Sequence, residues 1–154
     1  MRRCWSAWAC SAALVTAAGC GAARPAPPVV PVEWQSNTRQ VVQQLLGDID
    51  AAAVGGTTTA DAAAALSNTS DLYALLVAYS DLGGCSQMVR SAGPPARVAR
   101  VLSPACLHLQ RAAALFARAT QRSEPAALVR ATYEMGLAEP ALVRAMLAIR
   151  RAAT

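Results

Sequence analysis

The chain has 154 residues, with 14 basic groups, nine acids and one histidine. None of the basic groups is a lysine, which excludes a Schiff-base amine and a P-loop lysine, and a single histidine excludes a two-histidine zinc motif within one chain. Alanine and leucine dominate a composition that is 55% hydrophobic but only 5% aromatic, and it lacks alternating β-branched runs, so helices are expected throughout.

Met1-Arg2-Arg3 opens the chain, an apolar run follows through Ala18, and Ala17-Ala18-Gly19-Cys20 closes the first twenty residues. Two arginines favour a cytoplasmic start. The apolar run is short for a membrane span, which needs about 20 strongly apolar residues. Small residues before Cys20 suit a peptidase pocket. This order resembles a bacterial lipoprotein signal peptide, with Ala17 standing where that family usually has leucine. The resemblance implies that residues 1–19 are removed, that Cys20 carries lipid (palmitate among its acyl chains), and that the rest lies in the cell envelope on the extracytoplasmic side. Cleavage near Gly21-Ala22-Ala23, releasing a soluble secreted protein, is the alternative.

Residues 20–33 follow as a lipidated cysteine and a tether. Four prolines fall among the eleven residues from Gly21 to Pro31, so an extended, polyproline-like spacer is expected. Residues 34–154 then make one helical domain, enough chain for a single core. Cys4 and Cys10 leave with the signal, and Cys20 is committed to lipid. Cys85 and Cys106 remain, an even pair in an exported domain, most simply a disulfide. Closing that loop stabilises the fold by about 3 kcal/mol in the chain-entropy model.

The first helix is expected from Thr38 to Ala53, with Ser36, Asn37 or Thr38 as N-cap and Val42, Leu45, Ile49 and Ala53 on its inner face. Gly55-Gly56 ends it. A short alanine-rich helix covers 59–66, and Ser67 to Ser70 separate it from a helix over Asp71–Leu82, capped by Thr69 or Ser70. That helix is apolar nearly all round, which places it centrally in a core. Gly83-Gly84 should end it with a left-handed cap, leaving Cys85 in a loop.

From Pro95 to Arg122 the pattern sharpens. Val98, Leu102, Ala105, Leu109, Ala113 and Phe116 fall on one stripe. Opposite them lie Arg97, Arg100, Arg111, Arg118 and Arg122. Pro104 would normally break a helix, yet both stripes keep phase through it, so one kinked helix is expected. In the tail, Glu124-Pro125-Ala126-Ala127-Leu128-Val129-Arg130 is echoed by Glu139-Pro140-Ala141-Leu142-Val143-Arg144. Ser123 suits an N-cap for the first copy, and the two copies suggest a helical pair, or one helix interrupted near Gly136–Pro140. The expected fold is all-α: a compact bundle or orthogonal array of about five helices with one disulfide.

The chemistry is sparse. No Gly-x-Ser-x-Gly elbow occurs. His108 falls at the edge of the arginine stripe, where a solvent-exposed or locally bonded side chain is expected. Asp48-x-Asp50 superficially suggests a calcium loop, but Ala52 stands where another oxygen ligand is needed; capping and solvation account for these acids. No metal, cofactor or catalytic residue is assigned. Residues 33–81 carry six acids against Arg39, whereas residues 90–154 carry ten arginines against three glutamates. The arginine stripe is either a solvated face or a surface for an anionic partner such as a headgroup, an envelope polymer or an acidic protein. Nucleic acid is not expected, since no aromatic platform accompanies the arginines. The expected function is a non-enzymatic envelope lipoprotein that binds a protein or an anionic envelope component; the alternative is a secreted small-ligand-binding protein or enzyme.

Overall fold

A computed structural model describes residues 32–152. The signal sequence, Cys20 and most of the proline-rich tether lie outside the described residues. Those described form six α-helices and one short 3-10 turn, with no strand among them. The all-α expectation holds, with one helix more than the five expected.

Helix α1 spans Val32–Ala52. It starts six residues before the expected boundary, so Ser36, Asn37 and Thr38 are helical rather than capping. Trp34 is the reason the boundary moves: it is buried and extends the inner face of Thr38, Val42, Leu45, Ile49 and Ala52 back by one turn. Ala52, not Ala53, completes that face. A 3-10 turn, Ala53–Gly55, leads to Gly56, whose φ of +68° is left-handed. A Cβ there would collide with Asp61 Cβ, so glycine is required twice over.

Helix α2 spans Thr59–Ser67 and is capped by Thr58: the Asp61 amide donates to Thr58 Oγ1 at 3.2 Å, and that hydroxyl donates to Asp61 Oδ2 at 2.7 Å. Helix α3 spans Thr69–Gly83 and is capped by Asn68, not by Thr69 or Ser70. The Asn68 carboxamide oxygen accepts from the Ser70 and Asp71 amides at 2.9 and 3.1 Å. α3 is not central. It buries Leu75, Ala78, Tyr79 and Leu82, but leaves Tyr73, Leu76 and Val77 exposed on its outer side.

Gly84 is right-handed (φ −78°), so no left-handed cap forms there. The chain passes directly into a helix absent from the expected set, α4, Cys85–Ala92, which ends at a left-handed Gly93. Cys85 is therefore helical. It pairs with Cys106 at a Cα–Cα separation of 5.3 Å, fastening α4 to the next helix.

Helix α5 spans Ala96–Arg122 without interruption, and Pro104 lies on its exposed side. Helix α6, Pro125–Arg151, is also uninterrupted, contrary to the expected pair or break. Pro140 sits inside it on the solvent side. A proline ring meets the carbonyl four residues earlier, and that residue is Gly136, whose backbone has the freedom to yield. Ser123 is the left-handed C-cap of α5 (φ 51°), and Glu124 precedes α6, so Ser123 does not cap the second helix.

The α5–α6 hairpin is the spine of the fold. In α5, Leu102, Leu109 and Phe116 recur every seven residues, interleaved with Ala105, Ala112 and Ala119. In α6, Leu128, Met135, Leu142 and Ile149 alternate with Ala131, Ala138 and Ala145. All are buried. Alternating large and small side chains on a seven-residue period lets two antiparallel helices approach closely and interdigitate. Ala112 holds the position expected of Ala113, which is half-buried and meets α3 at Gly83 instead. Tyr79 stacks on Phe116, ring centroids 4.5 Å apart and planes 8° from parallel, joining α3 to the spine.

Candidate functional site

Two surface regions concentrate polar or charged groups. The first is an open groove of about 520 Å³ between α1, α3 and α4. Asn37, Gln40 and Gln44 line it from successive turns of α1, Ser80 and Asp81 from α3, and Gln87 from α4. The arrangement follows from local folding: α1 presents these residues at spacings of three and four, so they share one face. Gln44 Nε2 donates to Asp81 Oδ2 at 3.1 Å. Asp48 lies one turn beyond Gln44. Burial, with Asp81 nearby, pushes its carboxyl up to about 6. Its Oδ2 is buried and has no hydrogen-bond partner. Capping and solvation thus do not account for Asp48; the acid is held against its preference, and only the packing of α3 beside α1 reveals this.

The second region is basic. All five expected arginines of α5 are exposed: Arg97, Arg100, Arg111, Arg118 and Arg122. They do not form one compact patch. A 27-residue helix is about 40 Å long, so they spread over its whole length. Arg118 is engaged, donating to both Glu124 oxygens at 2.7 and 2.9 Å, and this holds the Glu124 carboxyl below its ordinary range. Real clustering occurs at one end. The hairpin brings the start of α5 beside the end of α6, where Arg97, Arg144 and Arg151 surround a pocket of about 380 Å³ with Pro95, Leu147 and Ala152. The start of α1 meets the same end, since Gln35 Nε2 donates to the Ala152 carbonyl at 3.1 Å. This gathering of charge was not read from the sequence. The signal was present: once α6 is taken as one helix antiparallel to α5, Arg144, Arg150 and Arg151 must fall near Arg97.

His108 Nδ1 lies 2.6 Å from Glu134 Oε2, tying α5 to α6 at the side of the spine. Among the described residues, no group of three or more His, Cys, Asp or Glu side chains is placed to hold a metal ion. No helix among them is long and apolar enough to cross a membrane.

Exposed apolar residues form two stripes. One is Tyr73, Leu76 and Val77 on α3; the other is Tyr133, Leu137, Val143 and Leu147 along α6. The α6 stripe runs into the basic end.

Compared with known proteins, the chain matches no family model, no curated protein and no solved structure.

Proposed function

We propose that this chain is a non-enzymatic lipoprotein of the cell envelope, anchored through Cys20, whose helical domain binds a protein or an anionic envelope component. The observation that carries the binding half is the form of the surface. A core closed by leucine and alanine underlies an open groove whose walls mix amides, hydroxyls and one carboxylate with Val41, Met88 and Ala92. Such a groove offers hydrogen-bond donors and acceptors over a broad area, as a polymer or protein surface requires, rather than enclosing a small molecule as most ligand pockets do. The anchor half rests on the order of residues 1–20 and on the proline-rich stretch that separates Cys20 from α1.

A soluble, secreted small-ligand binder is the second reading. Its support is Asp48, whose buried carboxyl oxygen has no hydrogen-bond partner, one turn beyond the groove whose lining does not include it.

Fractionation of the parent and Cys20→Ala proteins with a high-salt wash, which strips electrostatically held protein, tests the anchor: the parent is expected to stay with membranes and the variant to wash into the soluble fraction, and identical behaviour sinks it. Retention of isolated envelope polymers or envelope proteins, compared between the parent and a Gln44→Ala/Gln87→Ala variant, tests the groove. Equal retention by both removes the groove from the reading.

A further inference from the structure

We propose that the end of the domain where α1 begins is a docking surface for anionic phospholipid headgroups, so that the domain lies against the bilayer that anchors it. This deepens the envelope-lipoprotein reading and rests on it.

Three observations meet at that end. The first is position. The chain outside the described residues joins the domain at Val32, and the first turn of α1 is bonded to Ala152 at the end of α6. Any anchor at Cys20 therefore pulls on this end and no other. Eleven residues separate Cys20 from Val32, a reach of at most about 40 Å, which sets the domain's range without fixing its height.

The second is charge. Arg97 and Arg100 stand in the first turns of α5, Arg144 and Arg150 in the last two turns of α6, and Arg90 in the last turn of α4; all are exposed. Arg151 adds its side chain to the pocket wall. Facing them is Glu33, in the first turn of α1. Of the other acids of the early helices, Asp48, Asp50, Asp61 and Asp71 lie toward the far end, because α1 runs away from the basic end and α2 and the start of α3 follow it there, and Asp81 lies in the groove, bonded to Gln44. The C-termini of α4 and α6 favour Arg90, Arg150 and Arg151 electrostatically, whereas Arg97 and Arg100 stand at the N-terminus of α5, whose dipole opposes them and favours an approaching anion.

The third is the apolar partner of that charge. Leu147 is 48% exposed between Arg144 and Arg151 on the pocket rim, with Val143 one turn earlier. A leucine ringed by guanidiniums fits the boundary between headgroups and acyl chains, where the cation meets phosphate and the side chain enters the apolar layer. An acidic protein would use the charge but has less need of the leucine.

The test is co-sedimentation of the full chain carrying Cys20→Ala with vesicles. Phosphatidylglycerol mixed with phosphatidylcholine is compared with phosphatidylcholine alone. Residues 1–31 are the same in every variant, so differences between variants isolate the folded end. The chain is expected to prefer the anionic vesicles. Arg97→Gln/Arg144→Gln/Arg150→Gln should lose at least tenfold of that preference, since each arginine near an anionic surface is worth about fivefold. Arg111→Gln/Arg122→Gln/Arg130→Gln removes equal charge elsewhere and should lose much less. Leu147→Ser should weaken binding with the charge intact. Equal losses from the two triple variants, or no preference for anionic vesicles, would overturn the proposal. So would tighter binding to polyglutamate than to the vesicles, which would assign the end to an acidic chain. Because every protein in this assay lacks Cys20, a failed lipid anchor shows in the fractionation experiment and a failed docking surface shows here.

Discussion

Replacing Asp48 with asparagine is expected to stabilise the fold at neutral and alkaline pH and to leave it unchanged in acid. Burial, together with the neighbouring Asp81, raises the Asp48 carboxyl from 3.8 to about 6. The folded state therefore binds a proton that the unfolded chain has already released. Stability must fall as pH rises from near the unfolded value through the folded one, and the penalty is complete above it. Two units correspond to roughly 3 kcal/mol at full strength. Asp48 is only partly buried and solvent screens much of that, so about 1 kcal/mol is expected. For a domain of this size that is about 3–6 °C in Tm. Urea denaturation of parent and Asp48→Asn proteins across the range from acid to alkaline pH measures the difference directly. Asp81→Asn should recover a smaller part, because it removes only the second cause. A variant that gains nothing at alkaline pH, or gains equally in acid, would show that Asp48 is well solvated and that the reasoning is wrong.

Loss of the Cys85–Cys106 link, by Cys85→Ala/Cys106→Ala, should cost about 3 kcal/mol in chemical denaturation; free thiols in the protein isolated from its source would remove the disulfide from the fold altogether. Tyr79→Phe should be neutral or stabilising by up to about 1 kcal/mol. Burial holds the Tyr79 hydroxyl above its ordinary range with the Thr132 side chain opposing part of the shift, and no well-formed hydrogen bond reaches it. A clear loss on thermal melting would mean that it has a real partner. Gly47→Ala should stabilise α1 by about 0.5–1 kcal/mol, because a Cβ there meets nothing within 4 Å. Gly56→Ala should destabilise by more than that, since its Cβ would collide with Asp61 in a left-handed backbone. Opposite signs at the two glycines, read by Tm, check both statements.

What could be read from the sequence depended on length and phase. α5 is long and strongly two-faced, so its inner stripe, its arginines and its passage through Pro104 were all legible. α6 carries an equally regular period in Leu128, Met135, Leu142 and Ile149, but Gly136 and Pro140 looked like a stop when each was weighed alone. Four residues apart, they accommodate one another. α4 was missed because eight residues give barely two turns of pattern, and Gly83-Gly84 looked like a terminator. α3 was misplaced for the opposite reason. A helix apolar nearly all round has no phase, so nothing in its own sequence said that Tyr73, Leu76 and Val77 would face outward. The candidate surfaces are tertiary objects: the amide groove needs three helices, and the basic end needs the hairpin. Asp48 and Arg144 acquire meaning only from what packs beside them.

The bond between Gln35 and Ala152 has a practical consequence for handling this domain. The described chain leaves off beside where it starts, while the two-residue turn at Ser123-Glu124 lies at the opposite end of the spine. Adjacent ends and a distant exposed turn are the geometry that tolerates circular permutation. A short linker from Ala152 to Val32, with new termini opened at Ser123-Glu124, would keep every helix and move the attachment point to the far pole. Under the proposed Cys20 anchor, the same six helices would then face the bilayer with the opposite pole.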